Sequence, residues 1–116
     1  MTGTREPIST EDALRRFPEL AALVALRDRD WRFHLLTEND HLVGVAATHS
    51  ERDFTDAVFV FDRHHVLANR LVADGVVWMK DGTDLVEVVN DLLALPTPGE
   101  PGAPTLVIRA SNLWIP

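Results

Sequence analysis

The sequence predicts a single α+β domain over residues 1–116, with helical segments on either side of a run of antiparallel strands. Apolar residues recur at helical spacing near both ends of the chain, whereas β-rich runs separated by short turn sequences fill its middle. The hydrophobic content of 46% is typical of a globular chain, and 116 residues are enough to form one core without metals or disulfides.

The N-terminal region predicts a frayed arm followed by a helix that a proline breaks. Residues 1–7 lack an apolar pattern and are expected to form the arm. Ser9 to Asp12 combine hydroxyl caps with acids that suit the helix dipole, so a first helix is predicted over about 10–16. Pro18 lacks an N–H group and is expected to begin a second helix. The apolar stripe of that helix is expected to cover a sheet, and it consists of Leu20, Leu23, Val24 and Leu26.

The middle of the chain predicts a five-stranded antiparallel meander. Trp31 to Leu36 alternates between apolar and polar residues, and Asp56 to Phe61 is the longest uninterrupted β signal. Short links between successive strands favour antiparallel neighbours. The predicted strands cover residues 31–36, 41–48, 56–61, 66–71 and 75–80, with a turn at 37–40.

The C-terminal third predicts a helix, a connector and a last strand. Asp84 and Glu87 have capping-box spacing, a helical apolar pattern follows them, and Pro96 ends the helix. Residues 96–104 are rich in proline and glycine and predict a stiff connector across an edge of the sheet. Residues 105–109 predict the final strand, and an apolar tail follows. The two helical regions are expected to lie on one face of the sheet.

The central hairpin raises the question of what covers the sheet. A turn with an even number of residues places Phe59 and Phe61 on one face with Val66, Ala68 and Arg70, and leaves Val58, Val60, Leu67 and Leu71 on the other. Both faces are apolar, so both are expected to be covered. The helices cover one face, and a second copy of the chain, the C-terminal tail or a hydrophobic ligand covers the other. The candidate interface residues are Phe59, Phe61, Val66, Trp114 and Ile115.

Charge and composition exclude several classes of protein. A net charge of −7 opposes general binding to nucleic-acid phosphate, and no apolar stretch is long enough to cross a bilayer. The chain has no cysteine, which excludes disulfides, thiolate nucleophiles and cysteine metal sites. Since the first ten residues also lack the apolar core of a signal peptide, a cytoplasmic location is expected.

Polar residues beside the central hairpin are the only candidates for chemistry. Metal-binding histidine spacings such as HxH or HExxH are missing, and so is a GxSxG motif. No metal, cofactor or catalytic residue is therefore predicted. The candidate ligand-binding residues are His49, Arg52, Asp53, Asp62, His64 and His65.

These observations predict a small interaction or regulatory protein rather than an enzyme. Its predicted partner is a second copy of the chain, bound through an apolar sheet face or edge, or another protein. One alternative is a small-ligand binder or minor enzyme with a pocket near the hairpin tip at 62–65 and the loop at 49–53. A second alternative is an acidic partner of a basic protein, of the immunity-protein or antitoxin kind.

Overall fold

The computed structural model describes residues 3–21, 31–62, 64–73 and 75–105. Six antiparallel strands form one sheet in chain order, and the helices pack on one side of it, so the predicted α+β class is confirmed. The strands are β1 Gly3–Ile8, β2 Arg32–Glu38, β3 His41–Ser50, β4 Thr55–Asp62, β5 His65–Val72 and β6 Gly75–Gly82. The helices are α1 Thr10–Arg16, a 3₁₀ helix Pro18–Leu20, and α2 Leu85–Leu93.

The N-terminal segment is an edge strand, which corrects the predicted frayed arm. Strand β1 pairs with β2 from Gly3 opposite Glu38 to Ile8 opposite Phe33. An edge strand tolerates Pro7, because a residue there can lack the N–H that a central strand needs. Backbone pairing with a distant strand creates β1, and the local sequence contains no signal of that pairing.

Helix α1 begins and ends as the cap residues predict. The Ser9 hydroxyl accepts a hydrogen bond from the Asp12 N–H at 3.1 Å, which satisfies one of the first-turn donors. Pro18 begins the 3₁₀ helix, and Leu20 is buried against the sheet. The rest of the predicted second helix, including Leu23, Val24 and Leu26, lies outside the described residues.

The turn between β2 and β3 and the cap of α2 also agree with the predictions from the sequence. Asn39 and Asp40 have φ angles of 52° and 63°, the pattern of a type I′ turn between β2 and β3. Asp84 caps α2 by accepting from the Val86 N–H at 3.0 Å. Helix α2 then buries Leu85, Val88, Val89 and Leu92.

The register of the central hairpin differs from the predicted one. Val58 lies opposite Ala68, Phe59 opposite Leu67, and Val60 opposite Val66. An irregularity between Val60 and Asp62 adds one residue to β4, and a shift of one residue exchanges the faces of a strand. The predicted grouping of Phe59 with Val66, Ala68 and Arg70 is therefore wrong.

The sheet consequently has two different faces. The first face carries the helices, and its cluster contains Ala13, Leu20, Trp31, Phe33, Val45, Ala47, Val58, Val60, Val66, Ala68, Leu85, Val88, Val89 and Leu92. Among the described residues, the cluster on the second face consists of strand residues: Leu36, Ala46, Ala57, Phe59 and Leu67, flanked by Val43, Phe61 and Met79.

The connector after α2 is folded into two tight turns rather than extended. The Glu100 N–H donates to the Thr97 carbonyl at 3.0 Å, and the Ala103 N–H donates to the Glu100 carbonyl at 3.1 Å. Gly99 and Gly102 have φ angles of 93° and 85°, which glycine adopts without strain. The predicted final strand, apart from Thr105, and the tail lie outside the described residues. In the described part of the chain, no helix has the length and apolarity needed to cross a membrane.

Candidate functional site

The predicted ligand-binding residues lie in two groups at opposite ends of β4. His49, Arg52 and Asp53 lie where β3 turns into β4, whereas Asp62, His64 and His65 lie where β4 turns into β5. The eight residues of β4 separate the two groups by roughly 25 Å, at the usual rise for a strand. One pocket cannot hold both groups.

The group at the β3–β4 loop is a closed turn with its charges in solvent. The Glu51 N–H donates to the Phe54 carbonyl at 2.8 Å, and Arg52 and Asp53 are exposed. The His49 ring lies 3.3 Å from the Glu51 carboxylate and 6.0 Å, centre to centre, from the Trp31 ring. These contacts fix His49 against the end of the sheet.

Next to His49, an ion pair is buried on the first face. Arg70 is 1% exposed and Asp56 is fully buried. The guanidinium donates from Nε to Oδ1 of Asp56 at 2.7 Å, from Nη2 to Oδ2 at 3.0 Å, and from Nη1 to the Pro96 carbonyl at 2.8 Å. Its central carbon lies 4.3 Å from the centre of the Phe54 ring. All three guanidinium nitrogens are engaged, so this buried ion pair fastens the connector to β4 and β5.

The other group of candidates forms an ordered surface at the β4–β5 turn. We call it the tip surface, and it consists of Phe61, Asp62, His64, His65 and Asp81. His65 alternates with Leu67, and Asp81 lies opposite Leu67, so both belong to the second face. The residue between Asp62 and His64, Arg63, lies outside the described residues.

Four contacts hold the tip surface in place. The His64 N–H donates to Oδ1 of Asp62 at 2.7 Å, which fixes the turn. The His65 ring lies 4.9 Å from the Phe61 ring, and its Nε2 is 3.9 Å from Oδ2 of Asp81. The Phe61 ring in turn stacks on Phe59 at 6.4 Å with an interplanar angle of 9°. A row of aromatic contacts therefore runs from the buried Phe59 to the exposed His65, with the Phe61 and His65 rings tilted by 41°, and we call this row the aromatic stack.

The predicted interface residues differ in how much surface they offer. Phe59 is completely buried on the second face, and Val66 is buried on the first. Phe61 is half-buried, while Trp114 and Ile115 lie outside the described residues. Any contact with a partner near Phe59 must therefore be made by its more exposed neighbours.

Asn69 is a polar residue on the second face that the sequence analysis did not select. Its side chain is completely buried, and neither Nδ2 nor Oδ1 has a hydrogen-bond partner among the described residues. Its signal in the sequence is an asparagine in the middle of the apolar run Val66–Leu71. It lies opposite Ala57 on β4 and Met79 on β6.

Lys80 lies on β6 beside two carboxylates of α2. A hydrogen bond to Asp91 and the attraction of Asp91 and Glu87 raise the pKa of Lys80. Within the described ranges, no group of three or more histidine and carboxylate side chains is placed to hold a metal ion.

No protein-family model matches the chain, and comparisons with curated proteins and with solved structures give no match. The functional argument therefore depends on the geometry of the tip surface, the buried ion pair and Asn69.

Proposed function

We propose that the protein is a small interaction module that forms a homodimer through its tip surface. The observation that supports this proposal is the aromatic stack from Phe59 through Phe61 to His65. The stack anchors an accessible aromatic surface in the core, so few side-chain rotamers are lost on binding. Side chains already ordered in the free protein reduce the entropy cost of association.

The chemistry of the tip surface favours a second copy as the partner. The tip surface contains acceptors, the carboxylates of Asp62 and Asp81, and donors, the imidazoles of His64 and His65. In a dimer with a two-fold axis, each surface meets a copy of itself, so donors of one chain can face acceptors of the other. A surface with carboxylates alone would repel its copy.

The size of a stable interface adds the neighbouring residues of the second face. Specific interfaces bury on the order of 1,200–2,000 Å² in total, which is more than a single hairpin turn provides. Val43 and Met79 are half-buried and pack beside Phe59 and Phe61. We expect these two side chains to extend the contact.

The first test measures the mass of the protein in solution. Light scattering is expected to give about twice the chain mass of 12.9 kDa, and Phe61→Glu is expected to return it to the single-chain value. The matched control is Val86→Glu, because Val86 is 49% exposed and lies on α2, which packs on the first face rather than the second. A wild-type mass of 12.9 kDa at every concentration, or an equal effect of Val86→Glu, contradicts the proposal.

Exchanging the charges at positions 65 and 81 tests whether polar groups of the tip surface pair across the proposed dimer interface. His65→Glu and Asp81→Lys each place like or unmatched charges in the tip surface, and each is expected to weaken the dimer. The double variant carries Glu at position 65 and Lys at position 81. These two side chains have opposite charges, so they can pair within one chain and between the two chains of a dimer. We expect it to recover dimerisation, which a nonspecific apolar contact would not require.

A further inference from the structure

His65 and Asp81 form an exposed pair of side chains on the tip surface. Nε2 of His65 lies 3.9 Å from Oδ2 of Asp81, and the two side chains are 52% and 69% exposed. They belong to the neighbouring strands β5 and β6, and the Phe61 ring packs against the His65 ring at 4.9 Å. An imidazole nitrogen and a carboxylate oxygen therefore lie side by side where a molecule from solvent can reach both.

The separation of these two atoms suits two ligands of one tetrahedral metal ion. Zinc binds imidazole nitrogen at about 2.0–2.1 Å and carboxylate oxygen at about 2.0–2.2 Å, so two such ligands lie about 3.4 Å apart. Small rotations of two exposed side chains close the gap from the observed 3.9 Å. A structural zinc site has four protein ligands, and within the described ranges no group of three or more histidine and carboxylate side chains is placed to hold a metal ion. A single chain therefore supplies too few ligands at this position.

We propose that two copies of the chain bind one zinc ion between their tip surfaces, with His65 and Asp81 of each copy as its four ligands. This inference rests on the proposed homodimer, whose two-fold axis places two equivalent pairs of side chains against each other. An ion on that axis receives two nitrogens and two oxygens, which completes a tetrahedral site. Imidazole nitrogen favours zinc, whereas magnesium and calcium prefer ligands that are all oxygen.

Charge gives a second reason for an ion between the two copies. Each chain has a net charge of −7, and a two-fold contact through the tip surface brings the Asp81 carboxylate of one copy towards that of the other. Like charges that face each other across an interface oppose association. A zinc ion with two carboxylates and two neutral imidazoles has no net charge, so it removes this repulsion. The ion is therefore expected to strengthen the dimer.

Two other carboxylates near histidines are less suited to a shared ion. His49 lies 3.3 Å from Glu51, but the His49 side chain is only 13% exposed, which leaves little of its ring for a ligand from a second copy. Oδ1 of Asp62 accepts a hydrogen bond from the His64 N–H at 2.7 Å, so that oxygen is already engaged in the turn. The exposed Glu51 carboxylate therefore provides a matched control for Asp81.

The test measures the dissociation constant of the dimer by analytical ultracentrifugation in EDTA, with zinc and with magnesium. A ligand bound by the dimer alone shifts the equilibrium by mass action, so zinc at about ten times its own dissociation constant is expected to tighten the dimer roughly tenfold. Magnesium at the same concentration is expected to have no such effect, because it prefers an octahedral set of oxygens. Isothermal titration is expected to give one zinc ion for two chains.

Three variants test which residues bind the ion. His65→Gln and Asp81→Asn each remove one ligand from both copies and are expected to abolish the tightening by zinc. Glu51→Gln also replaces an exposed carboxylate with an amide, and it is expected to keep the full response. The quantity compared is the ratio of the dissociation constants with and without zinc, so a change in the metal-free dimer does not disturb the comparison.

The outcomes separate the zinc site from the proposed dimer. A dimer in EDTA that zinc does not tighten overturns the zinc site and leaves the proposed dimer standing. Binding of one zinc ion by each single chain, or an equal loss of response in Glu51→Gln, also overturns the shared site. A chain that is single in EDTA and dimeric with zinc supports the zinc site and contradicts a metal-free dimer. A chain that stays single in both solutions overturns both proposals.

Discussion

Asn69 and Arg70 are consecutive residues of β5 that bury polar groups on opposite faces of one sheet. Arg70 points to the first face, where Asp56 and the Pro96 carbonyl accept hydrogen bonds from all three guanidinium nitrogens. Asn69 points to the second face, where its amide has no partner among the described residues. A charged guanidinium costs more to bury than a neutral amide, and the guanidinium is the group whose hydrogen bonds the fold supplies.

The difference separates a polar group that joins parts of the fold from one that the described fold leaves without a hydrogen bond. The buried ion pair joins β4, β5 and the connector, and a protein gains stability from such a pair only when its geometry is complete. Asn69 joins no described element by a hydrogen bond, so the fold gains nothing from its amide. We therefore expect substitutions at the two neighbouring positions to change stability in opposite directions.

The largest expected effect is the loss of Arg70. Arg70→Leu removes the guanidinium from the buried Asp56 carboxylate, and breaking a buried ion pair typically costs about 3–5 kcal/mol of unfolding free energy. Urea unfolding followed by circular dichroism measures this loss. Arg52→Leu is the matched control, because Arg52 is exposed and its removal is expected to stay within about 0.5 kcal/mol. Similar losses of unfolding free energy for the two variants would show that the buried ion pair contributes no more to stability than an exposed arginine.

Removing both charges is expected to restore much of that stability. In the double variant Asp56→Leu, Arg70→Leu no charge stays buried, and replacing a buried pair with apolar residues is often neutral. One cost is expected to persist, since the Pro96 carbonyl loses its donor, at about 1 kcal/mol. A double variant no more stable than Arg70→Leu would indicate that the connector contact, rather than charge burial, carries the effect.

The third expected effect has the opposite sign. Asn69→Leu is expected to raise the unfolding free energy by about 1–3 kcal/mol, because an unmatched amide is removed from an apolar face. Thermal unfolding is the measurement. A destabilised but folded variant would mean that the amide is satisfied within the chain.

Local features of the fold were predictable because their signals lie within a few residues. Ser9 and Asp84 cap their helices through bonds two or three residues away, and Asn39 and Asp40 form the turn that their residue types favour. Each such feature depends on short-range sterics and hydrogen bonding. Neighbouring strands then pair antiparallel because the links are short.

The register of the central hairpin was not predictable, because it depends on contacts across the sheet. A Cβ at Gly44 would lie 2.5 Å from the Val60 carbonyl and 3.2 Å from Cα of Phe61, so glycine permits the close approach beside the irregular residue of β4. That irregularity reverses the faces of Phe59 and Val66. Phe61, Asp62, His64 and His65 of the tip surface were selected from the sequence because they are neighbours in the chain. Asp81 of the tip surface and the pairing of Asp56 with Arg70 required the pairing of the strands.

Lys80 provides the smallest expected effect, because its ion pairs lie at the surface. Its ammonium group contacts Asp91 and lies 3.5 Å from Glu87, and the Asp91 hydrogen bond is the largest cause of its raised pKa. A pKa raised in the folded state gives stability that is complete below the unfolded value, roughly 10.4, and is lost as pH rises through the folded value. The difference in unfolding free energy between the wild-type protein and Lys80→Gln is therefore expected to be constant from pH 7 to 9 and to disappear in strong alkali.

Salt separates the exposed ion pairs of Lys80 from the buried ion pair. At neutral pH, added salt is expected to reduce the loss of unfolding free energy caused by Lys80→Gln. The loss caused by Arg70→Leu is expected to change little, since buried pairs are screened much less than exposed ones. Equal salt sensitivity of the two variants would contradict the distinction between the exposed and the buried pair.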